Sequence, residues 1–224
     1  MLNSRSSLTS GFAVAVLAAA LILSGFGIAI AVGGVGGRNV STITTTTTVT
    51  NSSASSPYVL TMVIATDSIY NQTAADQPAF FVIGQNGLQS SGQISLPANR
   101  LIKLVIVNYD DAGANLTTPN GNVVSGTADG TIFVASNDNI NSSHGASGIV
   151  VKGGQTLTSL SADDVAHTFT VPSLNLNVPV PPSSTVVAYF TVDKAGTYLW
   201  LCETACGDAA MSTPGWMTGS LVAS

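Results

Sequence analysis

Beyond residue 57, no stretch of this chain sustains the 3.6-residue apolar period of an amphipathic helix. Apolar residues come instead in short β-branched runs: Tyr58–Ile64, Ala79–Ile83, Leu101–Val107, Thr131–Val134, Gly148–Val151, Ala166–Val171, Thr185–Val192, Thr197–Cys202 and Met217–Ala223. Polar turn residues separate them, with Asn86-Gly87 the clearest turn. Many short strands at this spacing predict an all-β sandwich or barrel over residues 58–224. Pro172, Pro179, Pro181 and Pro182 cluster between two of the runs. Proline donates no ladder hydrogen bond, so Pro172–Ser184 is expected as an extended crossing loop. Asp163 and Asp164 read as a turn leading into the next strand.

The N-terminus has a different character. Residues 1–10 are short and polar and carry Arg5; residues 11–35 then run for 25 positions without a charge. At about 1.5 Å per residue that run covers roughly 37 Å, enough for a hydrocarbon core of about 30 Å. It is expected to be one transmembrane helix, with Arg5 on the cytoplasmic side and the rest outside the cell membrane. Cleavage near Ala31 or Gly37 is the alternative. Residues 36–57 are Ser/Thr-rich with little to bury, which reads as a linker. The sequons at Asn39, Asn51, Asn71, Asn115 and Asn141 agree with an outside location.

Charged residues make up 8% of the chain, against about 25% in ordinary soluble domains. The surface is therefore made polar mainly by Ser, Thr and Asn. A net charge of -5 and scattered cations argue against nucleic-acid binding. Two cysteines are too few for a disulfide framework. The glycines of residues 33–37 lead into the linker rather than a helix, which excludes a dinucleotide loop.

Chemistry concentrates in the last third. His167 stands 35 residues before Cys202; Cys206, Met211 and Met217 follow. Imidazole with thiolate and thioether is a ligand set that serves both Cu(I) and Cu(II). Outside the cell the same two cysteines can instead form a local disulfide. Acyl transfer would need a Cys–His pair with an orienting third group, and no local pattern supplies one.

Asp164-Val-x-His167-x-Phe-x-Val-Pro172 resembles the histidine strand of cytochrome oxidase subunit II and other copper A proteins. Gly196-Thr-Tyr-Leu-Trp-Leu-Cys202-Glu-x-x-Cys206-Gly207 resembles that family's cysteine loop, and Met217-x-Gly219-x-Leu221-Val222 its closing methionine and last strand. The resemblance covers Asp163 to Ser224 and implies a cupredoxin-like Greek-key β-sandwich. It implies His167, Cys202, Cys206, the Glu203 carbonyl and Met217 as copper ligands. It also requires a second histidine, and the two positions that its spacing indicates hold Ala210 and Pro214. The loop before Met217 is longer than the family's, with Met211 its nearest soft donor. His144, in a turn-like stretch, is the chain's only other histidine. Usual subunit II proteins have two membrane helices; this sequence shows one.

The expectation is a membrane-anchored extracytoplasmic cupredoxin holding copper, one ion rather than two. It would carry electrons to or within a respiratory oxidase, from a small redox protein or inside the oxidase. That makes it a carrier or subunit rather than a stand-alone enzyme. The alternative is a copper-free degenerate domain with a Cys202–Cys206 disulfide, serving as a structural or accessory subunit. Trp200 and Trp216 flank the loop and are candidates for partner contact or for packing at the end of the barrel.

Overall fold

The computed structural model describes residues 55–66, 77–137, 140–141, 150–151 and 153–224. The expected transmembrane run, nearly all of the linker and His144 lie outside these residues. No helix among the described residues is long and apolar enough to cross a membrane.

Strands dominate. In chain order they are β1 (Tyr58–Thr66), β2 (Pro78–Gly84), β3 (Gly87–Ser90), β4 (Gln93–Leu96), β5 (Leu101–Asn108), β6 (Ile132–Ser136) and β7 (Ile140–Asn141). Then come β8 (Val150–Val151), β9 (Gln155–Leu157), β10 (His167–Val171), β11 (Leu176–Val180), β12 (Ser184–Thr191), β13 (Gly196–Leu201) and β14 (Thr218–Ala223). A five-residue helix, α1 (Asp208–Ser212), lies between β13 and β14. One sheet has the order β3-β2-β1-β5-β12-β6-β9 and a second the order β11-β10-β13-β14-β4; β7 and β8 form a separate pair. Most neighbours run antiparallel, but β1 with β5 and β14 with β4 are parallel. The mostly-β, two-sheet arrangement agrees with the expected cupredoxin-like fold.

Side-chain alternation explains why the runs looked almost wholly apolar. On β5, Ile102, Leu104 and Ile106 enter the main core, while Val105 and Val107 join a smaller cluster on the opposite face. On β1, Leu60, Met62 and Ile64 divide from Val63 and Ala65 in the same way. A strand buried on both faces has no polar alternation to show. The main core also takes Phe169, Val178, Trp200 and Leu221 from the second sheet, so it fills the space between the sheets.

The proline-rich segment departs from expectation. It contains a 3-10 turn at Pro172–Leu174 and then a buried strand, β11, instead of a crossing loop throughout. β11 lies at the edge of its sheet, paired with β10, Pro179 opposite Thr168; on its outer side, among the described residues, only Asn177 is bridged, to Ser125. A missing N–H on an edge strand costs no ladder bond on its open side. The paired acids behave as expected, forming a 3-10 turn, Ala162–Asp164, just ahead of β10.

Candidate metal centre

The sheet closes the 35-residue interval. β10 and β13 run antiparallel with Thr170 opposite Leu201, so the start of one strand meets the end of the other. The Thr168 N–H reaches Cys202 Sγ at 3.3 Å. The Cys202 N–H donates to the Met217 carbonyl at 2.8 Å, which joins the start of β14 to the same place. Within this corner His167 Nδ1 stands 3.1 Å from Cys206 Sγ and 4.0 Å from Cys202 Sγ, and the two sulfurs are 3.7 Å apart. Both thiols are free. His167 and Cys202 are buried; Cys206 is 9% exposed.

Asp110, two residues past the end of β5, completes the arrangement. Its Oδ2 lies 2.9 Å from His167 Nε2, and its Oδ1 accepts the Ala112 N–H at 3.0 Å. A carboxylate only accepts, so Nε2 carries hydrogen and Nδ1 of the neutral ring offers its lone pair to the sulfurs. This is the carboxylate–histidine pairing that fixes a ligand ring. It is equally the third, orienting group of a Cys–His pair, which the sequence had not revealed.

Charges respond accordingly. The hydrogen bond to His167 holds the Asp110 carboxyl below the usual carboxylate range, although partial burial opposes it. Burial opposes protonation of His167, but Asp110 and the Cys202 sulfur outweigh it and raise its pKa. Burial likewise works against a Cys202 thiolate, yet Cys206, His167 and Thr204 together bring its pKa well below the ordinary thiol value. The Cys202 sulfur pushes Cys206 upward, and its burial adds to this. Two adjacent sulfurs share one negative charge because two would repel.

One prediction follows for acid solution. A carboxyl with a depressed folded pKa contributes stability above its unfolded value and loses it as pH falls through the folded one. Urea denaturation of the reduced, metal-free protein from pH 6 down to 2.5 is expected to show wild type losing more stability on the acid side than Asp110→Asn. Parallel curves would contradict it.

Thr204, between the cysteines, was also missed. Its Oγ1 is 3.1 Å from each sulfur and donates to the Ala166 carbonyl at 2.9 Å. Thr168 Oγ1 accepts the Glu203 N–H at 2.8 Å, fixing the turn after Cys202. The Glu203 carbonyl accepts both the N–H and the hydroxyl of Thr117, each at 2.9 Å, and so faces the 117 segment. Its carboxylate accepts from the Thr118 hydroxyl. Met217 is fully buried in the main core with both cysteines and Ala210. Met211 is half-buried against that core and belongs to α1; Pro214 is exposed. Trp200 is wholly buried, whereas Trp216 is half-buried and touches both clusters. Short polar signals could have found three of the residues: Thr168 and Thr170, which alternate with apolar Phe169 and Val171, and Thr204, the hydroxyl between two cysteines.

A cleft of about 410 Å³ opens beside the site, lined by Pro78, Asp110–Ala114, His167, Ala205 and Cys206. His167, Cys202 and Cys206 form the one candidate metal-ligating cluster among the described residues, enough for at most one copper site. Two thiolates held at about 2.3 Å by one tetrahedral ion stand about 3.8 Å apart, close to the observed sulfur separation. The donors therefore fit one thiophilic ion. They do not complete the dinuclear centre, because the second imidazole is absent among the described residues.

The sequence profile of the family described as Cytochrome C oxidase subunit II, periplasmic domain, matches residues 146–217. Residues 146–217 are thus similar to that periplasmic domain, with one candidate histidine ligand among the described residues. Among solved structures, the periplasmic domain of subunit II of cytochrome oxidase (CoxB) of Bradyrhizobium japonicum is 10% identical, with a TM-score of 0.33 over 75% of this chain and 83% of that one. Reduced rusticyanin is 15% identical, with a TM-score of 0.30 over 75% and 81%. Auracyanin B is 15% identical, with a TM-score of 0.30 over 75% and 91%. Comparison with curated proteins finds no match.

Proposed function

We propose that this protein is a copper-free, degenerate cupredoxin domain that serves a respiratory oxidase as a structural or accessory subunit, with Cys202 and Cys206 joined as a disulfide. The supporting observation is the donor set: one imidazole and two thiols, with Ala210 buried where the resemblance asks for a second imidazole. The sulfurs lie 3.7 Å apart, so closing the bridge brings them about 1.7 Å nearer to the bonded distance. In this reading residues 11–35 tether the domain outside the membrane and residues 36–57 space it from the surface.

A bridge closing a five-residue loop stabilises by about 2 kcal/mol in the chain-entropy estimate. For a domain of this size that corresponds to about 4–8 °C in Tm. The oxidised full-length protein is expected to melt higher than the reduced one by that amount, as differential scanning calorimetry would measure. An equal or lower Tm would remove the structural role of the bridge.

A second reading rests on the 3.7 Å sulfur spacing and the Asp110-held imidazole. Here His167, Cys202 and Cys206 hold one copper, with Met217 as a weak outer donor; the Glu203 carbonyl, which the resemblance also implies, is taken up by Thr117. Bound copper would supply one-electron chemistry for a carrier. His167 then provides Nδ1, Asp110 fixes its ring, and the surrounding core excludes water.

Copper loading of the reduced full-length protein, followed by metal analysis and visible spectroscopy, separates the two readings. The first expects no stoichiometric copper, no intense thiolate band, and a mass two hydrogens below the dithiol in untreated protein. One bound copper with an intense band lost in His167→Ala would replace it with the second.

A further inference from the structure

Three features of the corner go beyond a static bridge. Cys206 lies on the cleft wall and is 9% exposed, while Cys202, 3.7 Å away, is wholly buried. His167 Nδ1 is 3.1 Å from Cys206, nearer than to Cys202, and Asp110 holds the other ring nitrogen. The cleft walls carry Ala112, Gly113, Ala114 and Ala205, whose small side chains leave room for a polypeptide, and the carboxylates of Asp110 and Asp111. A thiol at the cleft wall, an oriented base and a fully buried second thiol are the parts of a dithiol reductant.

We propose that Cys206 and Cys202 reduce a disulfide on a partner polypeptide with neutral or basic flanks that enters this cleft, Cys206 attacking and Cys202 resolving. The inference rests on the copper-free reading of the pair. In the first step Cys206 passes its hydrogen to the Cys202 sulfur and bonds to one partner sulfur. The partner S–S bond breaks, and the departing sulfur takes a proton from water. In the second step Cys202 passes its hydrogen to His167 Nδ1 and bonds to Cys206 Sγ, and the mixed disulfide breaks. The second partner sulfur leaves with the proton from His167. Two electrons pass to the partner, with one proton from the cysteine pair and one from water; it becomes a dithiol while the Cys202–Cys206 bridge forms.

The test uses the reduced full-length chain with two small disulfides, dicationic cystamine and anionic oxidised glutathione, followed by acid quenching and peptide mass spectrometry. Wild type is expected to pass through a mixed disulfide on Cys206 and end two hydrogens lighter with two cysteamines released. Cys202→Ser should stop at the mixed disulfide on Cys206, and Cys206→Ser should react at least tenfold more slowly. Relative to a free peptide thiol, cystamine should be favoured over oxidised glutathione at least tenfold, with Asp111→Asn narrowing the ratio. Early mapping of wild type locates the first attack even if a variant fails to fold. First attack on Cys202, or a mixed disulfide that never resolves, would overturn the proposal while leaving the accessory reading intact. Stoichiometric copper with a thiolate band would overturn the accessory reading, and exchange would still be measurable on the metal-free dithiol.

Discussion

Replacing Trp200 with alanine is expected to lower stability by about 3–5 kcal/mol, the usual cost of emptying a buried aromatic site. That is roughly 6–20 °C in Tm for a domain of this size. The indole is 0% exposed, stacks on Phe169 with centroids 5.6 Å apart, and meets Phe80 edge-on at 5.3 Å. Its Nε1–H donates to the Ser91 carbonyl at 3.1 Å. Gly219 permits this approach: a Cβ there would come within 2.6 Å of Nε1 and 2.8 Å of the Ser91 oxygen. Trp200→Phe should lose less, since it keeps most of the packing and forfeits mainly the hydrogen bond. A thermal melt of the alanine variant within 2 °C of wild type, about the smallest shift for 1 kcal/mol, would contradict this account. Phe80 also meets the His167 ring, centroids 6.3 Å apart, so the damage should reach the cysteine corner.

Asn177→Ala is the second large loss, and its cause is polar. The Thr170 hydroxyl donates to Asn177 Oδ1 at 2.7 Å. Having spent its hydrogen, it must accept from Thr168, 2.9 Å away. Thr168 in turn accepts the Glu203 N–H. The amide of Asn177 donates onward to the Gly121 and Val123 carbonyls at 2.9 and 2.8 Å. Every hydrogen in this buried chain has one place to go. Alanine leaves a hydroxyl and two carbonyls without their partner, and each buried unsatisfied group costs about 1–3 kcal/mol. Water can reach the part-buried Val123 contact, so a total near 3 kcal/mol is expected in urea denaturation. A loss below about 1 kcal/mol would mean that water replaces the whole chain.

Most strands were legible because β-branched runs between polar turns have few other ways to bury themselves. β11 was not, because Pro179 and the prolines flanking it masked an edge strand in which the Pro179 position needs no donor. α1 was too short to show a period. The cysteine corner was legible in His167, Cys202 and Cys206, whose residue types and order survive in the sequence. Asp110 was not, since it reaches His167 from the loop after β5, 57 residues away. Only register places such residues together.

The Thr204 hydroxyl has a single hydrogen and three neighbours that compete for it. While it points to the Ala166 carbonyl, it can only receive hydrogens from the two sulfurs. A thiolate on either side competes with the carbonyl for that hydrogen, whereas a sulfur closed into a disulfide is a weak acceptor and leaves it on Ala166. The carbonyl just ahead of His167 therefore keeps its donor in the bridged state and shares it in the ionised one, one residue from the ring that faces the cysteines.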